Sequence, residues 1–331
     1  MRILFTVTLL LYSSITLSQD PFFSQFYNTP LLVNPAFTGT AYGYIRASMN
    51  YKEYFNDFDD IQTVALAGDM SLLENDRNPD YAGIGMTLLH DQAGKALRNT
   101  RSHLSFAYHN AYGRLRNEFL AFGMQVGVDN TNLDLSGLSS QNQWVQGIGF
   151  DAGLSNGEMI PSENATVLDF SAGVMWYKFL RDGTSFIAGL STYHLTEPNR
   201  EFVSRENELS RRYIAHASSR FPIHARVNLA PTVLYFYQAG LHTISPGTSL
   251  EFVLQKSGYL SVGAWVRNLD ALIGTVQFEY SNLTIGASYD LLLSNISETT
   301  RNGGAELSIT YLIKRRYKTR ARIRSNIRPK L

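Results

Sequence analysis

The chain has no cysteine among its 331 residues, which excludes disulfide bonds, thiol catalysis and a lipid anchor on an N-terminal cysteine. It also lacks an excess of either charge, because 29 Lys and Arg balance 28 Asp and Glu, so no nucleic-acid partner is expected. Beyond the first 20 residues no apolar run reaches the ~18 residues of a transmembrane helix. Aromatic residues and glycine are abundant instead, with 19 Tyr, 19 Phe and 25 Gly. This profile favours a β-barrel of a bacterial outer membrane over a soluble enzyme.

The first residues have the layout of an export signal. The basic Arg2 precedes an apolar core at about 3–12, and small residues follow before Gln19. This core is too short for the ~20 residues that cross a bilayer as a helix. We therefore predict a signal peptide over 1–18, cleaved after Ser18, and an exported mature chain.

Alternation of apolar and polar residues predicts transmembrane strands. A strand that crosses the outer membrane needs about 9–11 residues, with an apolar side chain facing lipid at every second position. In EFLAFGMQVGVDN, for example, Leu120, Phe122 and Met124 alternate with Ala121 and Gly123. The second face of such stretches is mostly Gly, Ser, Thr and Ala, which fits a barrel lumen better than bulk solvent.

Such stretches predict an all-β fold, a transmembrane antiparallel up-and-down β-barrel of about 14 strands over 41–313. An even number of strands allows closure with both barrel termini on one side of the membrane. The strands are expected near 41–52, 61–70, 81–90, 101–111, 118–130, 166–178, 184–195, 211–221, 225–237, 248–256, 258–268, 270–280, 282–290 and 305–313.

Connection lengths predict the orientation of the barrel, because outer-membrane barrels combine long extracellular loops with short periplasmic turns. The long connections are expected near 53–60, 91–99, 131–165, 196–210, 238–247 and 291–304. The short ones are expected near 112–117, 179–183, 222–224 and 257, while 71–80 and the tight turn near Leu269 depart from the pattern. This parity places both barrel termini in the periplasm.

Charged residues on the predicted inward faces are candidates for a lumen function. They are Arg46, Asp169, Glu251, Arg267, Glu279, Asp290 and Glu306. Buried charges are costly unless paired or hydrated, so they form either a structural salt-bridge network or a selectivity device for a permeating solute. The tail 314–331 holds nine Lys or Arg, and is either a solvated periplasmic segment or a contact for anionic outer-membrane lipid or an acidic periplasmic partner.

Motifs for catalysis and cofactors are missing from the sequence. The seven His residues form no H-x-x-x-H, H-E-x-x-H or Cys/His ligand set, and the acidic stretch 56–60 lacks the Gly and distal Glu of an EF-hand loop. Ser105 and His109 lie ~13 Å apart on an extended strand, too far to act as nucleophile and base. We therefore predict a protein that is not an enzyme and has no cofactor or catalytic metal.

The segment 19–40 follows neither a helical nor a strand period. Its three prolines limit backbone hydrogen bonding while its aromatic residues offer surface for burial. Such a segment cannot face lipid with unpaired backbone groups, so we expect it to plug or line the periplasmic side of the barrel or to present a surface to a partner. The alternative is a plain linker before the first strand. The plug and partner-binding candidates are Phe22, Phe23, Phe26, Tyr27, Asn34, Pro35, Phe37 and Gly39.

The same segment resembles the N-terminal signature of the PorP/SprF family, outer-membrane proteins of Bacteroidota linked to type IX secretion and gliding motility. The matching elements are Gln19-Asp20-Pro21, Phe23-Ser24-Gln25, Asn34-Pro35-Ala36-Phe37 and Gly39. Later stretches, among them DFSAGVMWY, VGAWVRNLDAL and GGAELSITYL, are similar to further blocks of the family in the same order. One departure is Ala305-Glu306, where the family often has His-Glu.

The resemblance implies a function without catalysis. It suggests an accessory barrel at the cell surface that helps deliver, anchor or present a large secreted protein, such as a gliding adhesin, through its C-terminal sorting domain. The loops 131–165 and 196–210 are then candidates for gripping that partner, and type IX secretion components or a periplasmic protein are further expected partners. A passive outer-membrane channel or transporter for small solutes is the alternative.

Overall fold

The computed structural model of the protein describes residues 20–41, 44–55, 61–73, 79–94, 96–134, 143–145, 147, 149–151, 153–154, 164–200, 208–254, 258–293 and 303–314. The predicted signal peptide 1–18 and the tail beyond Lys314 lie outside the described residues, as do parts of the two candidate partner loops. Among the described residues, no helix is both long enough and apolar enough to cross a membrane.

The described chain begins with three short helical turns and continues in strands. The turns are Phe26–Asn28 and Pro35–Phe37, both 3₁₀, and the α-helical Pro30–Val33. The strands are β1 Tyr44–Tyr54, β2 Ile61–Leu72, β3 Tyr81–Ala93, β4 Leu97–Tyr112, β5 Glu118–Leu133, β6 Trp144–Val145, β7 Gly149–Phe150, β8 Asn164–Phe179, β9 Ser185–Tyr193, β10 Arg212–His224, β11 Val227–Gln238, β12 Leu241–Val253, β13 Gly258–Arg267, β14 Ala271–Tyr280, β15 Leu283–Leu292 and β16 Gly304–Lys314.

Fourteen of these strands form a closed antiparallel barrel. Each pairs with the next barrel strand along the chain, and β1 pairs with β16 from Tyr44↔Lys314 to Tyr54↔Gly304 to close the sheet. The hairpin of β6 and β7 lies in the connection between β5 and β8, outside the barrel sheet. Closure leaves the barrel sheet without an edge, so the backbones of its fourteen strands pair within the wall, as a membrane requires. The predicted fold and strand number are confirmed.

The two faces of the wall divide as the alternation predicted. In β5, Phe122 and Met124 face outward with exposed fractions of 55% and 62%, while Ala121 and Gln125 are buried inside. Leu307, Ile309 and Tyr311 of the last strand likewise face outward. The outer face is therefore an apolar surface for lipid, and the lumen receives the small and polar side chains.

The connections define two ends of the barrel. The long-loop end carries the connections 134–163, 194–211 and 293–303, and the short-turn end carries the starts of β1 and the end of β16. Two predicted long connections are wrong, because β3 and β4 are joined by 94–96 and β11 and β12 by 239–240. The strands continue past the apolar band with polar residues, where backbone pairing no longer depends on alternation; β4 and β5, for example, each have 16 residues.

Candidate functional site in the barrel lumen

The N-terminal segment, residues 20–41, runs along the inside of the barrel from one end to the other. Its first residue, Asp20, contacts Arg101 near the start of β4, at the long-loop end. Its later residue Gly39 donates its backbone N–H to Asp69 near the end of β2, at the short-turn end, at 2.7 Å. We predicted a plug or lining on the periplasmic, short-turn side, but the segment reaches the full distance to the opposite end.

Aromatic side chains of this segment pack into apolar clusters on the inner wall. Phe26 lies edge-on to Trp265 with ring centroids 6.4 Å apart, and Tyr27 stacks on the same indole at 5.6 Å. Phe22 packs against Phe236 at 5.1 Å. The remaining two predicted aromatic residues are fully buried, Phe23 beside Ala65 and Leu89, and Phe37 beside Met175 and Tyr177.

The Asn34-Pro35-Ala36-Phe37 turn, which we call the NPA turn, lies on a floor of glycines. Gly123 in β5 and Gly173 in β8 are cross-strand partners, and Gly189 lies in the adjacent β9. A Cβ added at Gly123 would lie 2.6 Å from Ala36 Cα and would overlap the backbone of Pro35. At Gly189 it would lie 2.8 Å from Asn34 Nδ2. The missing side chains therefore make the space in which the turn rests.

Asn34 joins this turn to the wall and also forms a hydrogen bond within the turn. Its Nδ2 lies 3.0 Å from the carbonyl oxygen of Val174, 3.2 Å from that of Leu190 and 3.1 Å from His216 Nε2. Its Oδ1 accepts a hydrogen bond from the backbone N–H of Ala36, which caps the following 3₁₀ turn. A fully buried amide thus meets partners on three adjacent strands, because Val174, Leu190 and His216 belong to β8, β9 and β10.

A buried network of charges binds the segment at Ser24 and Gln25. The carboxylate of Glu306 accepts hydrogen bonds from the backbone N–H groups of Ser24 and Gln25 at 2.7 and 2.9 Å. The Ser24 hydroxyl donates to Asp290 at 2.7 Å, and the Lys52 ammonium lies 3.4 Å from Asp290 and 3.8 Å from Glu306. The Lys52 ammonium is thus shared by two carboxylates, and the segment donates a hydrogen bond to each of them.

The carboxylate of Asp20 is the centre of a second network, at the long-loop end. Its oxygens lie 2.5 Å from Arg101, 2.6 Å from His194 Nε2 and 3.4 Å from Arg212. Burial alone would raise the pKa of Asp20, but these three positive groups outweigh it and hold the pKa well below the usual range. His194 Nδ1 also lies 2.9 Å from a carboxylate oxygen of Asp169. Burial lowers the pKa of His194, yet the two carboxylates raise it above its ordinary value.

A neighbouring cluster has the residue types of a metal site. Ligand atoms of His103, Asp129 and Asp169 lie within 4.8 Å of one another. Arg101 lies 3.3 Å from Asp129, and Arg200, in the connection after β9, lies 3.7 Å from it. These guanidinium groups already supply the positive charge that the carboxylates need, so the cluster fits a salt-bridge network and does not fit a cation site.

The predicted lumen charges lie in several places. Arg46 binds Asp69 at 2.7 Å and also contacts the carbonyl oxygen of Phe37, whereas Glu251 pairs with Arg220 at 2.6 Å. The others divide between the two networks and the cavity described next: Asp169 in the Asp20 network, Asp290, Glu306 and Arg267 around Lys52, and Glu279 on the cavity wall.

A cavity of about 120 Å³, which we call the vestibule, lies beside the segment on the wall formed by β11 to β16. Tyr27, Asn28 and Trp265 lie at its inner end, and Glu279 and Leu312 lie near the short-turn end. Hydroxyl groups dominate its wall: Thr232, Ser249, Ser261, Thr275, Thr284 and Thr310. The segment thus fills the opposite side of the lumen and leaves a polar recess on this one.

Sequence reasoning missed several residues that contact the segment. Asp20, Ser24 and Gln25 were part of the recognised signature, but nothing in the sequence indicated their charged partners Lys52 and Arg101. A usable signal existed in the inward glycines, which recur where the segment lies against the wall. The roles of the candidate residues in closing the lumen or binding a partner stay predictions.

Comparisons with known proteins agree with the fold. The toluene transporter TbuX from Ralstonia pickettii has a TM-score of 0.53 at 10% identity, with 87% of this chain and 93% of that chain covered. The toluene transporter TodX from Pseudomonas putida has a TM-score of 0.50 at 8% identity, with 86% and 92% covered. Identities this low show the fold alone. No curated protein matches the chain.

The family comparison covers most of the chain. The model described as type IX secretion system membrane protein PorP/SprF matches residues 15–311. The match includes the whole N-terminal segment and nearly the whole barrel, so it agrees with the resemblance predicted from the signature. The chain therefore belongs to the PorP/SprF family of type IX secretion system membrane proteins.

Proposed function

We propose that this outer-membrane barrel anchors or presents a large surface protein exported by the type IX secretion system, with its own lumen closed by the N-terminal segment. The observation that carries the proposal is the segment's set of contacts. They reach β4 through Asp20, β16 through Ser24, β9 and β10 through Asn34 and β2 through Gly39. A lumen occupied by a segment that is bonded to several strands suits an anchoring protein better than an open pore.

The partner side of the proposal rests on the family. An exported chain, released from its signal peptide after Ser18, inserts with the long-loop end at the cell surface and both barrel termini in the periplasm. The partner is a secreted protein with a C-terminal sorting domain, of the gliding-adhesin kind in a bacterium of the Bacteroidota. The long connections 134–163 and 194–211 supply its contacts, and the basic tail faces anionic lipid or a periplasmic protein.

The vestibule favours a second candidate, a channel or transporter for small solutes. It is polar and extends toward the short-turn end, and Tyr27, Asn28 and Trp265 lie at its inner end. Displacement of the segment would join it to the long-loop mouth. In this alternative the vestibule is the entrance of a gated path.

The two candidates separate in one pair of measurements. The tagged protein is purified from detergent-solubilised outer membrane, and the co-purifying chains are identified by mass spectrometry. A sorting-domain protein or secretion components at near-equal amounts support the anchor. A barrel recovered alone, with stable single-channel conductance in planar bilayers, contradicts it. A variant lacking 20–30 is the control, because closure by the segment predicts conductance in the variant and little in the full chain.

A further inference from the structure

The direction in which the N-terminal segment runs has a topological consequence. The first strand starts at Tyr44, at the short-turn end of the barrel. Asp20 nevertheless lies at the opposite end of the lumen. Its partners Arg212 and Gln238 are the first residue of β10 and the last residue of β11.

The backbone of Asp20 is held at the long-loop end. Its N–H, the group joined to residue 19, donates to Gln238 Oε1 at 3.1 Å, at the rim of the long-loop end. Phe23 and Phe26, which follow in the segment, are buried. Pro21 and Phe22, in contrast, are only half-buried.

We propose that the N-terminal segment threads the lumen so that the start of the mature chain is presented at the cell-surface mouth. Pro21 and Phe22, which lie beside the buried Asp20 network, then form part of the surface that the exported partner contacts. The connection after β9 reaches the same place, because its Arg200 lies 3.7 Å from Asp129 in the cluster beside Arg101. A partner seated on that loop therefore meets the start of the segment directly.

The identity of the partner rests on the proposed function, but the position of the chain start rests on geometry. A segment anchored at the cell-surface mouth can be held or withdrawn from outside, without any protein crossing the membrane. Withdrawal would first break the ion pairs of Asp20 and then the hydrogen bonds of Ser24 and Gln25 to Glu306.

The native chain has no cysteine, so single-cysteine variants test this without background. Whole cells expressing Pro21→Cys are treated with a small, positively charged, membrane-impermeant methanethiosulfonate. Leu269→Cys, on an 83% exposed side chain between β13 and β14, reports the long-loop end, and Leu115→Cys, 61% exposed between β4 and β5, reports the short-turn end. Phe22→Cys is a second segment variant, and heat-modifiable migration on gels shows that each barrel has folded.

The expected result is that Pro21→Cys and Leu269→Cys are modified on intact cells with no gain on permeabilisation, whereas Leu115→Cys is modified only after permeabilisation. If both segment variants behave like Leu115→Cys, the threading is refuted. If Leu115→Cys is modified on intact cells and Leu269→Cys is not, the presentation at the cell surface is refuted. The purification experiment fails or succeeds independently of this labelling, so the loss of the partner and the loss of the threading are distinguishable.

Discussion

The glycine floor beneath the NPA turn leads to a prediction with a calculable size. In Gly123→Ala the new methyl group would lie 2.6 Å from Ala36 Cα and would overlap the Pro35 backbone. Carbon atoms in contact prefer about 3.5–4.0 Å, so the turn must rise by roughly 1 Å from the wall. The proline and the 3₁₀ hydrogen bonds leave the turn little freedom to deform locally. The change is therefore expected to lift the turn as a unit.

Lifting the NPA turn affects the Asn34 amide most. Its nitrogen now lies 3.0–3.2 Å from three acceptors, and an added ~1 Å takes each beyond hydrogen-bond reach. Each such bond contributes about 0.5–1.5 kcal/mol net, and overpacking a close contact costs about 1–3 kcal/mol. Since the amide has two hydrogens for three acceptors, two hydrogen bonds are lost, and with the overpacking we expect a loss of about 2–6 kcal/mol in the docking of the segment.

Limited chymotrypsin digestion of the purified barrel measures this loss, because the segment offers aromatic cleavage sites only when it leaves the wall. Cleavage then follows the population of the released state, so a loss of 2 kcal/mol or more predicts roughly 30-fold faster release of peptides from 20–41. Gly68→Ala is the matched control: it lies in β2, and an added Cβ there has no neighbour closer than 3.8 Å. Equal cleavage of Gly123→Ala and Gly68→Ala would refute the reasoning.

Two further predictions concern the charged networks. In Glu306→Gln, the side chain that accepts the backbone N–H groups of Ser24 and Gln25 loses its charge. Charge-assisted hydrogen bonds are worth about 1.5–3 kcal/mol each, so chymotrypsin should cleave the segment at least tenfold faster. Unchanged cleavage would contradict the role of this network. The lowered pKa of Asp20 adds stability that is present above about pH 4, its unfolded value, and is lost as the pH falls through the folded value. The raised pKa of His194 adds stability that is present below about pH 6.5 and is lost as the pH rises through its folded value. The rate of segment release, measured as chymotrypsin cleavage against pH, should therefore be slowest between these limits. In the Asp20→Asn variant the rise in cleavage at acid pH should disappear. If that rise is unchanged in the variant, it is caused by other groups.

The alternation of side chains made the wall predictable. Whether a residue of a strand faces lipid or lumen follows from a period of two, which is a property of a few neighbouring residues. Leu307, Ile309 and Tyr311 could therefore be assigned to the outer face, and Glu306 to the lumen, without knowledge of any partner. The same period did not locate the ends of β4 or β12, because beyond the membrane the pairing continues without an apolar face.

The sequence by itself determined the class of fold, the family signature and the inward or outward direction of side chains in the clearly alternating strands, since these depend on local pattern. Only the tertiary structure decided which groups meet inside the lumen. Ser24 and Glu306, for example, are 282 positions apart, and their hydrogen bond exists because barrel closure brings β16 beside β1 and the segment passes that seam. The seat of the NPA turn has the same origin: Gly123 of β5, Gly173 of β8 and Gly189 of β9 meet the turn together only when these strands are in register.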